Sequence, residues 1–275
     1  MIDIKEQLKK YEIFPQKKFS QNFIFDKNIL DKIVNSVPNL SNFHVIEIGP
    51  GPGTLTSRIK LANPKSFCGI EIDTRFEKIL NSMDINNSQF LFNDVLKIDF
   101  KILIKNTIEK YGNADFVVFS NLPYKISSQI MFKLYEYSEI NFLVLLFQKE
   151  MADRIIAKPF SKDYGKITVL SKFFYDIKKV MDISANVFYP IPDVTSTLLK
   201  FTRKSNNKCN INFDKFNKLL TIAFSARRKQ LKNNLKKVIK DVGSFDILNL
   251  SENVRAEELD VDEYLDLYSR IEEFL

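Results

Sequence analysis

The chain has 275 residues, 45% of them apolar, which is enough for a full core and a second, smaller domain. Its cysteines, Cys68 and Cys209, lie far apart in neither a CxxC nor a zinc spacing, and a single histidine, His44, argues against a His-rich metal site and a Ser-His-Asp triad. The longest apolar run, Phe142–Phe147, is of strand length, and the charged N-terminal stretch has no h-region. Metal hydrolysis, serine-type catalysis, a membrane span and a signal peptide are therefore not expected, and free thiols point to the cytoplasm.

Apolar runs alternate with helical patterns through the first two hundred residues. "HVIEIGP", "SFCGIEID", "QFLFND", "DFVVFSN" and "FLVLLFQ" predict strands, most of them apolar throughout, as in a sheet covered on both faces. "TLTSRIKLA", "TRFEKILNSM", "FKILIKNTIEKYG" and "SSQIMFKLYEY" lie between them with helical periodicity. This alternation predicts a doubly wound α/β sheet. "VTSTLLKFTR" adds a late strand, antiparallel at or near the sheet edge, after a Pro-rich turn. The composition turns polar at Ser205-Asn206-Asn207, so the expected domains are 1–205 and a helical 206–275, the latter with long helices over 213–240 and 256–274.

Three of the seven glycines, Gly49, Gly51 and Gly53, stand in "GPGPG" between the first of these strands and a helix. Glycine permits positive φ and close approach of a ligand to the backbone. The position is the first crevice of a Rossmann-like sheet, but the spacing is not that of dinucleotide sites, and no P-loop lysine follows. A tight turn is the plain alternative. The second strand ends on Glu71, where an acid can accept from both hydroxyls of a ribose, and the third ends on Asn93-Asp94, where Asp94 can meet an adenine amine. Together the three strand ends predict an adenosine-bearing ligand. Acids without a basic phosphate clamp favour S-adenosylmethionine over a dinucleotide.

The fourth strand ends on Asn121-Leu122-Pro123-Tyr124. An exocyclic adenine amine is a poor nucleophile because its lone pair is delocalised into the ring. The side-chain oxygen of Asn121 and the carbonyl of Leu122 can each accept one of its hydrogens and turn the lone pair out of the ring plane. Pro123 biases Leu122 toward an extended backbone, and Tyr124 can stack on the base.

Charge is segregated at the end of the chain. Arg203 to Lys240 carries twelve Lys and Arg against one acid, a local +11, whereas Asp241 to Leu275 carries eleven acids against two Arg, a local −9. Arg228, Lys232 and Lys236 recur at helical spacing with Arg227 and Lys229 beside them, a face able to follow an RNA backbone. Phe224, Leu231, Leu235 and Val238 repeat on another face, for packing against the first domain.

From about Phe19 to the C-terminus the chain resembles the ribosomal RNA adenine dimethyltransferases, specifically the KsgA type of the small subunit. "FSQNFIFD", "VIEIGPGPGTLT", "IEID", "ND", "NLPY", "FQKEMADRIIAKPFSKDYGKITVLSKFFYDI" and "VFYPIPDVTSTLLKF" carry the likeness. It implies that Asn22, Ile24, Gly49, Glu71, Asp94 and Asn121 contact S-adenosylmethionine, with Gly51 in the same loop. It also implies that Asn121 to Tyr124 cradle the target amine and that Phe188 stacks on a flipped adenine. The implied activity is N6,N6-dimethylation of two adjacent adenosines near the 3′ end of small-subunit rRNA, in a pre-assembled 30S-type particle, by a monomeric enzyme linked to ribosome biogenesis. The Erm-type enzymes of large-subunit RNA share the catalytic motifs, but "AFSARRKQLKNNLK" and "RAEELDVDEYLDL" resemble the KsgA type better. Ser20 and Asp193 depart mildly from the family pattern. A binding factor that checks ribosome assembly is the non-enzymatic alternative.

Overall fold

Among the described residues nine strands form in chain order: β1 (Phe23–Ile24), β2 (His44–Ile48), β3 (Ser66–Glu71), β4 (Ser88–Phe92), β5 (Phe116–Asn121), β6 (Ile140–Gln148), β7 (Tyr175–Ile183), β8 (Phe188–Tyr189) and β9 (Ser196–Arg203). Seven of them make one sheet in the order β4-β3-β2-β5-β6-β9-β7, and β1 pairs with β8 as a separate antiparallel ribbon. The strands from β2 to β6 pair in parallel, while β9 runs antiparallel to β6. Every residue of β2 and β3 is buried, as parallel strands covered on both faces require. β4, at one edge, is mostly half-buried. The computed structural model describes residues 4–16, 19, 21–122, 126–204, 211–227, 229–236, 238, 240 and 248–275. Ser20, Pro123, Tyr124, Ser205, Cys209 and Arg228, all singled out above, lie outside these.

The helices are α1 (Ile4–Lys10), α2 (Lys27–Val34), α3 (Thr56–Leu61), α4 (Glu77–Asn81), α5 (Phe100–Tyr111), α6 (Ser127–Tyr135), α7 (Lys149–Ile156), α8 (Lys166–Phe174), α9 (Phe213–Ala223), α10 (Leu231–Asn234) and α11 (Val261–Ile271). Side-chain caps set several of their starts. The carboxylate of Asp26 accepts from the Asn28 and Ile29 N–H groups, and Asp99 caps Ile102. Asp260 and Glu263 form a reciprocal capping box at α11. Among the described residues no helix is long and apolar enough to cross a membrane.

The chain divides into two compact units, 1–152 with 178–203, and 153–177 with 204–275. The first holds the sheet and a core that includes Val45, Ile59, Phe76, Leu80, Val117, Phe119 and Leu146. The second therefore takes in Asp153–Ile177, which the single expected boundary near Ser205 left in the first domain. Aromatic packing explains the difference. Phe173 lies 5.2 Å from Phe216, Tyr164 6.3 Å from Phe224, and Phe174 5.8 Å from Phe213, each pair within the second unit.

The expected helix over 213–240 is also broken. α9 ends at Ala223, a 3-10 turn covers Phe224–Ala226, and Gln230 is extended and bridges Arg255. The Asn234 amide donates to the carbonyls of Ala223 and Ala226 at 2.6 and 3.2 Å, satisfying groups that a continuing helix would have used itself.

Candidate functional site

The strand order reverses between β2 and β5, so a crevice opens at the carboxyl ends of these strands, where doubly wound sheets bind ligands. Here the structure has a cleft of about 650 Å³, its open mouth included. Each strand from β2 to β5 delivers one element to it. β2 runs into Gly49 and Gly51, β3 ends on Glu71, β4 is followed by Asn93 and Asp94, and β5 ends on Asn121. Phe19, Gln21, Asn22 and Phe23 line the same cleft from the N-terminal segment.

Gly49 and Gly51 both have positive φ, +71° and +56°. At Gly51 close approach matters as well, since an added Cβ would stand 2.7 Å from the Phe23 ring. The loop is tied to the acid of the neighbouring strand. Glu71 is 5% exposed and accepts from the Gly51 N–H at 2.8 Å on Oε2 and from the Asp73 N–H at 2.9 Å on Oε1. Burial pushes its carboxyl up, against backbone hydrogen bonding from Asp73, Gly51 and Ile72, and the Asp73 charge adds to the rise. A carboxylate oxygen can accept a second hydrogen bond, so neither oxygen is saturated by these contacts. Asp94 accepts from the Leu96 N–H through Oδ1.

The carboxylate of Asp73 extends this network. It accepts from the Gln21 amide at 2.7 Å and from the Arg75 guanidinium at 2.5 Å, and Arg75 donates on to the Phe14 carbonyl at 3.1 Å. Burial works to raise the Asp73 carboxyl, but the bonds from Arg75 and Gln21 hold it below its ordinary value. Gln21, Asp73 and Arg75 fasten the N-terminal segment beside Glu71 at the cleft. Sequence reasoning assigned them nothing, although Gln21 sits within "FSQNF" and Asp73 two residues after Glu71.

At the other end, Asn121 donates through Nδ2 to the Asn22 carbonyl at 2.7 Å. A carbonyl only accepts, so this bond fixes the amide and leaves Oδ1 as the free acceptor. Ser120 donates to the Ile48 carbonyl at 2.7 Å and locks the strand end beneath it. A second cavity of about 380 Å³ continues from Asn121 past Ile24, Thr54 and Leu55. All the expected cofactor residues thus line two adjoining cavities. Leu122 is 2% exposed beside Asn121, while Pro123 and Tyr124 are not among the described residues.

Phe188 pairs with Ile24 across the β1–β8 ribbon and is 3% exposed within the core, so its ring has no open face here. A buried acid that sequence reasoning passed over, Glu47 on β2, accepts from the Thr56 hydroxyl at 2.6 Å, and burial raises it to about 8. Cys68 is a buried free thiol pushed up by burial to about 12, and no group of three metal-ligating side chains occurs among the described residues.

The basic face differs from its expected form. Arg227 donates through Nη2 to the carbonyls of Lys162 and Tyr164 at 2.6 and 2.8 Å, so it holds a loop together. Lys232 pairs with Glu252 at 3.0 Å, and the extended Gln230 interrupts the ridge. Lys229 and Lys236 are exposed.

Comparison with known proteins agrees with this geometry. The family signature described as "Ribosomal RNA adenine dimethylase" matches residues 15–273. A "Ribosomal RNA small subunit methyltransferase A" of Ehrlichia ruminantium is 37% identical, over 94% of this chain and 97% of that protein. The protein of the same name from Malacoplasma penetrans is 42% identical, over 83% and 80%. A dimethyladenosine transferase structure from Plasmodium falciparum superposes with a TM-score of 0.76 at 27% identity, over 92% of this chain and 98% of that one. The 23S rRNA methyltransferase ErmE shares the fold with a TM-score of 0.64 at 18% identity, over 91% and 99%. The chain belongs to the ribosomal RNA adenine dimethylase family and is an S-adenosylmethionine-dependent methyltransferase.

Proposed function

We propose that this enzyme dimethylates two adjacent adenosines near the 3′ end of small-subunit rRNA at their exocyclic amines, acting as a monomer on a pre-assembled particle in the cytoplasm. The small-subunit names of the relatives support that substrate. The observation that carries the chemistry is the fixed amide of Asn121, whose Oδ1 stands free between the two cavities.

S-adenosylmethionine supplies an electrophilic methyl group when bound. Glu71 would accept from its ribose hydroxyls, Asp94 from its adenine amine, and the Gly49–Gly51 loop would admit it close to the backbone. Asn22 and Ile24, which line the two cavities, would contact it as well. Toward the substrate, Asn121 Oδ1 and the Leu122 carbonyl each accept one hydrogen of the target amine, turning its lone pair from the ring toward the methyl donor. Alignment and fixed hydrogen bonds carry the rate, and no strong base is needed first. Pro123 and Tyr124 complete the cradle, Tyr124 as a stacking platform. Stacking by Phe188 on the opposite face requires its buried ring to turn out. Lys229 and Lys236 offer charge to the RNA backbone, with Arg227, Arg228 and Lys232 in the same block.

The test is incorporation of labelled methyl groups into unmethylated small subunits, large subunits and naked RNAs. Label in dimethyladenosine of small subunits alone is expected. Label in large-subunit RNA alone would contradict the substrate, and binding without label would favour an assembly factor.

A further inference from the structure

In the second unit the loop Lys158-Pro159-Phe160-Ser161-Lys162 makes an unusual choice. Phe160 has φ +67°, a left-handed backbone that bulky side chains avoid and that glycine or asparagine normally fills. The ring gains no burial in exchange, because Phe160 is 77% exposed. Neither local preference nor packing accounts for a phenylalanine here, and strain of this kind points toward function.

The backbone beneath the ring is held from several sides. The Phe160 N–H donates to the Glu257 carbonyl at 2.8 Å, and Ser161 donates to the Lys158 carbonyl through its hydroxyl at 2.7 Å and its N–H at 3.2 Å. Arg227 grips the far end through the carbonyls of Lys162 and Tyr164. The aromatic tip is thus presented by a braced loop. Lys158 and Lys162 flank it, both exposed and neither in an ion pair among the described residues. Glu257 lies against Arg227 at 3.9 Å, and Asp163, half-buried, is the other nearby acid.

We propose that Phe160 is an RNA contact: its ring stacks on an unpaired base of the substrate particle while Lys158 and Lys162 meet the adjoining phosphates. This rests on the rRNA substrate proposed above. An exposed aromatic between unpaired cations is the pairing that single-stranded or looped RNA engages, bases on the ring and backbone on the charges. Phe160 belongs to the second unit and the residues lining the cleft to the first, and the role assigned to the ring is binding rather than chemistry.

The test uses full-length Phe160→Gly and Phe160→Tyr with unmethylated small ribosomal subunits as substrate. Glycine accepts the left-handed backbone, so Phe160→Gly should match or exceed the wild-type Tm and keep its S-adenosylmethionine Kd. Its KM for the particle should rise roughly 5- to 150-fold, the range of one lost stacking contact, with kcat unchanged. Phe160→Tyr should keep the wild-type KM. A photo-cross-linking benzoylphenylalanine at this position should label small-subunit rRNA. An unchanged KM in Phe160→Gly, a fall in its Tm, or a cross-link to ribosomal protein alone would overturn the proposal. If the wild type fails to methylate the particle, the substrate reading fails instead, and the cross-link still reports whether RNA meets this ring.

Discussion

Glu71→Gln probes the proposed ribose contact most sharply. The carboxylate accepts one backbone N–H on each oxygen, from Gly51 at 2.8 Å and Asp73 at 2.9 Å. Glutamine turns one oxygen into an NH2, and in either orientation that donor faces a backbone donor. Leaving a buried N–H unsatisfied costs about 1–3 kcal/mol. The neutral amide also relieves the burial that pushes the carboxyl up, so the two effects on Tm oppose each other. Cofactor binding has no such offset. A hydrogen bond to a charged acceptor contributes about 1.5–3 kcal/mol, so the Kd for S-adenosylmethionine should weaken about 10- to 150-fold by calorimetric titration. Because the ionised form accepts the hydroxyls, wild-type affinity should fall as pH drops through the raised Glu71 value, and the variant should lack that dependence. A Kd within about twofold of wild type in a folded variant would refute the ribose assignment.

Asn121→Ala removes the oriented acceptor and should lower kcat about 10²- to 10³-fold, the scale of one preorganised polar group, with particle affinity retained in a filter-binding assay. Full activity would remove Asn121 from the mechanism. Gly51→Ala puts a Cβ at φ +56° and 2.7 Å from the Phe23 ring, so it should lower Tm and weaken cofactor binding together. Gly49→Ala, with φ +71° and nothing within 4 Å of the added atom, should show the backbone strain alone. Glu47→Gln should change how stability depends on pH. Between the ordinary 4.5 and about 8 the folded protein keeps a proton that the unfolded chain releases, so Glu47 lowers stability as pH rises, by about 1.4 kcal/mol per pH unit. The variant should lack that component and gain most, relative to wild type, at pH 8, read by denaturant titration at several pH values.

Much of the sheet was legible because strands buried on both faces are written as apolar runs. β2, β3, β5 and β6 follow from "HVIEI", "SFCGIE", "FVVFSN" and "INFLVLLFQ". β7, "YDIKKVMDI", escaped because most of its side chains are exposed or half-buried and its lysines and aspartates read as solvated. β1 and β8 are two residues each, too short for any period to show. The break after Ala223 depends on the Asn234 amide and on the pairing of Gln230 with Arg255, tertiary contacts that an unbroken helical pattern conceals.

The site shows the same division. Gly49, Gly51, Glu71, Asp94 and Asn121 stand at strand ends, where chain order and residue type reveal them. The link from Asn121 to the Asn22 carbonyl spans 99 residues, and that of Gln21 to Asp73 spans 52. Residue types suggest such partners, but only the fold shows which atom of the amide is occupied and which is free. Arg227 is the counterexample, a cation whose sequence context suggested phosphate and whose guanidinium is engaged by carbonyls.

The most direct measurement is mass-spectrometric mapping of rRNA from unmethylated small subunits after incubation with the enzyme and S-adenosylmethionine. Two neighbouring N6,N6-dimethyladenosines near the 3′ end are predicted, absent from large-subunit RNA and absent with Asn121→Ala. Dimethyladenosine confined to large-subunit RNA, or small subunits left unmodified by a protein that binds them, would contradict the account.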